Sequence, residues 1–318
     1  MRLAAERFVL GLVATLRSGL SSRNGFVRKG TAAALRVPRF WHGLRARAGD
    51  YQAAPPVLAN SFPKSGTHLL FQIVDGLPNS TNYGAFLASM TSSFRFRERS
   101  PENASRFIRS FVPGEIVRGH LFFHPQNAAN LRDKNVVHYF VYRDPRAVVV
   151  SEAHYLREMN RWHRLAPYFG KLASIDEAIM LSIRGFDPPI AGLEYPNIAE
   201  RFARYAGWLN RDDCLAIRFE DMASDARPTV VRCMAEFYAG HCREPIDIDA
   251  CARAMSAGIA PQKSHTFRSG KKSGWQQEFT AEHRRVFDQL AGELLIELGY
   301  EQTHDWVAAP VAQSASAT

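Results

Sequence analysis

Apolar positions along the chain fall into two alternating patterns. Short runs rich in β-branched and aromatic residues read as buried strands: "PVLANSF" at 56–62, "GEIVRGHL" at 114–121, "NVVHYFVY" at 135–142 and "CLAIRF" at 214–219. Longer stretches carry apolar residues at helical spacing. In "THLLFQIVDGL" (67–77) Leu69, Leu70, Ile73 and Val74 share one face, "RAVVVSEAHYLREM" (146–159) starts behind Pro145, and "DARPTVVRCMAEFYAG" (225–240) ends at a glycine. Residues 79–110 show no clean period and read as a long loop with helical pieces. Strand followed by helix over most of the chain predicts an α/β, P-loop-like three-layer fold, a central parallel sheet flanked by helices. Ligands of such folds bind beyond the carboxyl ends of the strands. The first three strands end beside Lys64, His120 and Arg143, and the fourth runs into "FEDM".

Length and charge set the limits of this domain. A chain of 318 residues, 46% hydrophobic, suits one large α/β domain or two small ones. The Ala/Ser-rich end reads as a disordered tail over 305–318, leaving a domain over 51–304 and a basic arm over 1–50. Of the net charge of +9, the first fifty residues hold ten Lys/Arg against Glu6 and Asp50, so +8 lies in the arm. A basic arm fits an amphipathic helix resting peripherally on an anionic membrane, or an extension that is solvated or packed on its own domain. It does not fit a nucleic-acid binder, whose positive charge would cover the domain itself. The apolar run "FVLGLVATL" (8–16) is far shorter than the ~20 residues of a membrane span and has no small-residue cleavage pattern after it. The expected location is therefore cytoplasmic, with membrane association only at the N-terminus. Four cysteines, Cys214, Cys233, Cys242 and Cys251, have no C-x-x-C spacing and read as free buried thiols.

The chemistry concentrates in "SFPKSGTHLL" (61–70), between the first strand and its helix. Backbone amides at a helix start beside one lysine make an anion site. A nucleoside-triphosphate loop would place glycine at both ends and then Gly-Lys-Ser/Thr. Here the lysine precedes Ser65-Gly66-Thr67, and Pro63 stands in place of a flexible glycine.

"FPKSGTHLL" resembles the 5′-phosphosulfate loop of the sulfotransferases that use 3′-phosphoadenosine 5′-phosphosulfate (PAPS). Four further segments resemble that family in its chain order: "VRGHL" the segment with the catalytic histidine, "YRDPRAVVVSEAHY" the 3′-phosphate segment, "RFEDM" its Y-E-D-M stretch, and "FRSGKKSGWQQEFT" its C-terminal R-K-G-x-x-G-x-W segment. The likeness runs from about residue 56 to about residue 300. It implies a PAPS-dependent sulfotransferase without a metal, acting on a hydroxyl or amine of a small-molecule or glycan acceptor, with no nucleic-acid partner. It implies His120 as general base and Lys64 as the cation on the leaving phosphate oxygen. His124 is the second candidate for the base. Lys64, Ser65, Gly66, Thr67 and His68 would hold the 5′-phosphate side. Arg143 and Ser151, eight residues apart as in the family, would hold the 3′-phosphate with Arg268, Ser269 and Gly270. Phe219 stands where the family has the Y-E-D-M tyrosine, Leu69 where the cytosolic enzymes often place an adenine-stacking tryptophan, and Arg118 where they have a lysine. Adenine must then be held by other groups, with Trp275 and Phe219 as candidates. Acceptor contacts are expected from residues 83–111, which include Arg95, Arg97 and Arg99, and from residues 153–189. The rival readings are a P-loop kinase or NTPase, which would need magnesium and the missing loop order, and a non-catalytic membrane-surface protein, which would have lost the lysine, histidine or arginine.

Overall fold

A computed structural model describes residues 19–20, 22, 24–91, 97–260 and 274–308. Five strands form one sheet: β1 (Val57–Ser61), β2 (Thr81–Ala88), β3 (Glu115–His120), β4 (Val137–Tyr142) and β5 (Leu215–Arg218). Their order is β2-β3-β1-β4-β5, and every pairing is parallel. The longer helices are α1 (Gly25–Ala34), α2 (Arg36–Arg45), α3 (Thr67–Val74), α4 (Pro101–Arg109), α5 (Pro125–Asp133) and α6 (Pro145–His154). After them come α7 (Ile175–Arg184), α8 (Ile198–Ala206), α9 (Arg227–His241), α10 (Ile248–Ala257) and α11 (Ala281–Glu297).

Two cores follow from the two-residue period of the strands. Val57, Ala59, Ile116, Val137, Tyr139, Val141 and Ile217 pack against α3, α9 and α10. Leu58, Val117 and Phe140 point the other way, into the core with α4 to α8 and α11. β1 is buried along its whole length and sits between β3 and β4. The chain leaves β1 for β2 and β3 on one side and returns to β4 on the other. The crevice beyond the carboxyl end of β1 is therefore the switch point where doubly wound folds bind ligands.

Four strands lie where the apolar pattern puts them; β2 does not. The stretch read as a long loop with helical pieces holds the helix α4 and, unforeseen, the strand β2. β2 is an edge strand containing Asn82 and Gly84, and its register with β3 shifts between Asn82 and Phe86. A half-paired strand of that composition carries no alternation to read. Of the expected tail over 305–318, only residues 305–308 are among the described residues. Residues His304–Ala308 form a 3-10 helix, and Trp306 is buried edge-on to Trp275 and Phe287. Of the four free cysteines, Cys214 and Cys251 are buried, but Cys233 is exposed on α9. No described helix is long and apolar enough to cross a membrane.

Candidate active site

The turn after β1 is built from two unusual backbone conformations. Lys64 has φ of 65° and Gly66 of 85°, both in the left-handed region. A non-glycine residue is held there only by its surroundings. The turn ends directly in α3, whose own ladder starts with the Leu69 and Leu70 amides on the Gly66 carbonyl, so the Thr67 and His68 amides ahead of them lie outside the helix's own ladder. The Ser65 hydroxyl is fully buried in the turn, with no hydrogen-bond partner among the described residues. A buried hydroxyl without a partner is costly in a finished structure and fits a cradle that a ligand completes.

At Gly66, a Cβ would stand 2.1 Å from Cδ2 of Phe219. Gly66→Ala therefore combines left-handed strain with displacement of a buried ring. We expect it to cost about 1–3 kcal/mol, read as a lower melting temperature. Gly240→Ala in α9, where an added Cβ meets nothing within 4 Å, should be neutral or slightly stabilising in the same assay.

Lys64 is half-buried, and its ammonium lies 3.8 Å from the centre of the Tyr155 ring. Burial pushes its pKa down to about 8, against the upward pull of the Glu152 carboxylate and with the Arg143 charge adding to the fall. Tyr155 opens a π-helical turn, Tyr155–Met159, that continues α6, and its hydroxyl accepts from Asn160 Nδ2 at 2.7 Å. Glu152, one turn earlier, is fixed by Ser182 (2.9 Å), Tyr195 (2.7 Å) and Arg201. Burial raises its pKa, but Arg201 and these hydrogen bonds outweigh it, so the carboxylate stays charged behind the lysine.

His120, at the end of β3, is tied to the same turn. Its Nδ1–H donates to the Ser61 carbonyl at 2.8 Å and lies 3.2 Å from Ser61 Oγ, which in turn is 2.8 Å from Thr67 Oγ1. His120, the end of β1 and the turn after it thus form one hydrogen-bonded chain. The Nδ1–H bond leaves Nε2 as the lone-pair nitrogen. Burial pushes the His120 pKa down to about 4, the Ser61 carbonyl opposes this, and Lys64 lowers it further. The imidazole is neutral at pH 7. Behind it, Asn60 donates to the Leu121 carbonyl (3.1 Å) and accepts from the Leu121 amide (2.7 Å), and Trp208 Nε1 donates to that same carbonyl (2.9 Å). His124, the second candidate for the base, caps α5 by accepting from the Gln126 amide.

Arg143 leaves the end of β4 with its guanidinium 4.5 Å over the Phe219 ring and 4.0 Å from Glu220. Glu220 also accepts from the Asp144 amide (3.2 Å) and from the Tyr300 hydroxyl (2.9 Å), which locks the turn that carries the arginine. Asp144 pairs with Arg146 instead. Phe219 therefore forms a wall between Gly66 and Arg143. Ser151 is half-buried on α6, one residue before Glu152. His68 is half-buried beside Phe71. Arg268, Ser269, Gly270 and Arg95 lie outside the described residues.

Three sequence candidates are engaged elsewhere. Trp275 is buried, with Arg146 stacked over it at 4.0 Å, so its ring belongs to the core and not to an adenine pocket. Arg118 pairs with Asp75 at 2.6 Å and lies over Phe71. Arg99 bonds the backbone of Ala88 and Ser89, holding the segment after β2. Residues unmarked by motif reading are Ser61, Glu152 and Tyr155. The spacing of Ser151 and Tyr155, one helical turn apart, is the signal that puts the tyrosine on the serine's side of the helix.

A sulfotransferase domain model matches residues 54–299. The chain belongs to the sulfotransferase family, the class of enzyme that transfers sulfuryl groups. Among solved structures it is similar to mouse sulfotransferase SULT7A1 complexed with PAP, at 18% identity and a TM-score of 0.51, covering 78% of this chain and 88% of that one. It is also similar to retinol dehydratase in complex with androsterone and inactive cofactor PAP, at 16% identity and a TM-score of 0.48, covering 81% and 85%. No curated protein sequence matches the chain.

Proposed function

We propose that the chain moves a sulfuryl group from PAPS to a hydroxyl or amine of a small-molecule or glycan acceptor, with His120 as general base and Lys64 as the cation on the leaving side. The observation that carries this reading is the hydrogen-bonded chain from His120 through Ser61 to Thr67, which ties a neutral imidazole to the anion loop that presents Lys64. When bound, PAPS supplies an SO3 group on a phosphate leaving oxygen. Ser65, the amides of Gly66 and Thr67 and the Thr67 hydroxyl would hold the 5′ side, with His68 beside them. Arg143 would hold the 3′-phosphate together with Ser151 and the segment 268–270, and Phe219 would wall the nucleotide. Lys64 brings a positive charge that burial has already partly desolvated, so it would stabilise negative charge on the leaving oxygen with little solvent to reorganise. His120 Nε2 would take the acceptor's proton as the acceptor's oxygen or nitrogen bonds to sulfur and the bond from sulfur to the phosphate oxygen breaks, releasing PAP. The exposed Phe86 ring meets His120 edge-on at 5.5 Å and offers an apolar wall to the acceptor.

The experiment is thermal stabilisation by PAP, the product nucleotide found with the similar solved structure, against ADP without magnesium. The two ligands differ in where the second phosphate sits. Stabilisation by PAP alone supports the 3′-clamp. Preference for ADP, strengthened by magnesium, would make this loop a phosphotransferase site instead.

A further inference from the structure

Helix α2 is amphipathic in the wrong sense for a helix that packs on its own domain. Val37, Phe40, Trp41 and Leu44 recur at i, i+3, i+4 and i+7 and so share one face, yet they are 61%, 61%, 50% and 61% exposed. A surface helix ordinarily turns such a stripe toward the core. Here the inward side is largely polar. Arg39 makes a fork with the buried Glu115 (2.6 and 3.0 Å), and His42 Nδ1 meets the Tyr83 hydroxyl at 3.0 Å. Leu35 and Pro38 supply the apolar contact beside them. These contacts fix the rotation of the helix, so the apolar stripe is held outward. In the preceding α1, Phe26 and Val27 are exposed as well.

Around the stripe the charge has one sign. Lys29, Arg36, Arg45 and Arg47 are exposed, and residues 24–49 contain no Asp or Glu. The Arg45 guanidinium sits 5.8 Å from the centre of the Trp41 ring. Aromatic and aliphatic side chains rimmed by cations are what an anionic lipid surface binds: the rings enter the headgroup boundary and the cations meet lipid phosphates. A second copy of the chain fits the same face poorly. Pairing the stripe with itself would bring the Lys/Arg rims together, and like-charge contacts across an interface are costly.

We propose that the outward face of α2 docks the protein onto anionic membrane, lying on the surface with the domain above it. This inference is independent of the sulfuryl-transfer reading. The test is co-sedimentation of the full chain with phosphatidylcholine vesicles, with and without phosphatidylglycerol. Binding is expected only to the phosphatidylglycerol vesicles, weakening as salt rises. The triple variant Phe40→Ser/Trp41→Ser/Leu44→Ser should bind at least about tenfold more weakly, given the apolar area removed. Its melting temperature should be unchanged, because the three side chains are exposed. Two results would overturn the proposal. One is vesicle binding by the triple variant equal to wild type, which would move the contact to residues 1–18 or elsewhere. The other is a wild-type dimer in sedimentation that becomes monomeric in the variant while neither binds vesicles, which would make the face a protein interface.

Discussion

Lys64→Ala is expected to lower kcat by about 10²–10³-fold, the range seen when one preorganised stabiliser of developing charge is removed. Melting temperature should hold or rise, because the wild-type ammonium is charged in a site that disfavours the charge. The side chain is set before any ligand arrives: its backbone is left-handed, its ammonium stacks on Tyr155, and the Glu152 carboxylate stands behind it. The sign of its pKa shift gives a second readout. With the pKa lowered to about 8, Lys64 is charged at pH 7 and loses its proton as pH rises through that value. In the free enzyme kcat/KM should therefore fall above pH 8. Lys64→Arg should flatten that limb, since guanidinium does not titrate there, while recovering only part of the rate because its planar fork replaces a point charge. An alkaline limb unchanged in Lys64→Arg would show that another group causes it.

The same lysine shows what could and could not be read from the chain. Lys64, His120 and Arg143 stand out because each follows a β-branched or aromatic run, and those runs are legible because β1, β3 and β4 are buried on both faces. What tunes them is not legible. Glu152 reads as one polar residue on a helix; its charge is kept by Ser182, Tyr195 and Arg201, which reach it from α7, α8 and the chain between them. Tyr155 continues α6 into a π-helical turn, a departure that no apolar period announces. Trp275 shows the opposite failure. Its motif position suggests a nucleotide contact, but Arg146 and Trp306, distant in sequence, claim the ring for the core. The reversed face of α2 is hidden for a related reason. Its i, i+3, i+4, i+7 pattern looks like an ordinary core-facing stripe until Arg39 is seen paired with Glu115.

His120→Ala should lower turnover by about 10²–10⁴-fold for the loss of a positioned base, with PAP stabilisation largely retained, because Arg143 and the amides of Ser65 to Thr67 keep their places and only the bond to the Ser61 carbonyl is lost. Preserved PAP stabilisation with lost turnover separates base from scaffold; retained activity would remove His120 from the role. The pH dependence sharpens the assignment. The depressed pKa of about 4 means the imidazole is neutral and competent through the neutral range, and that kcat/KM should fall on the acid side only near pH 4. A bound polyanionic donor favours the protonated form of a neighbouring base, so the acid limb of kcat should lie at higher pH than that of kcat/KM. Lys64 contributes to the depression. In Lys64→Ala the acid limb should then move upward in pH, although the variant is slow, because the cation that disfavoured imidazolium is gone. That shift would couple the two residues through their charges. An acid limb that stays in place would mean the two do not share one site.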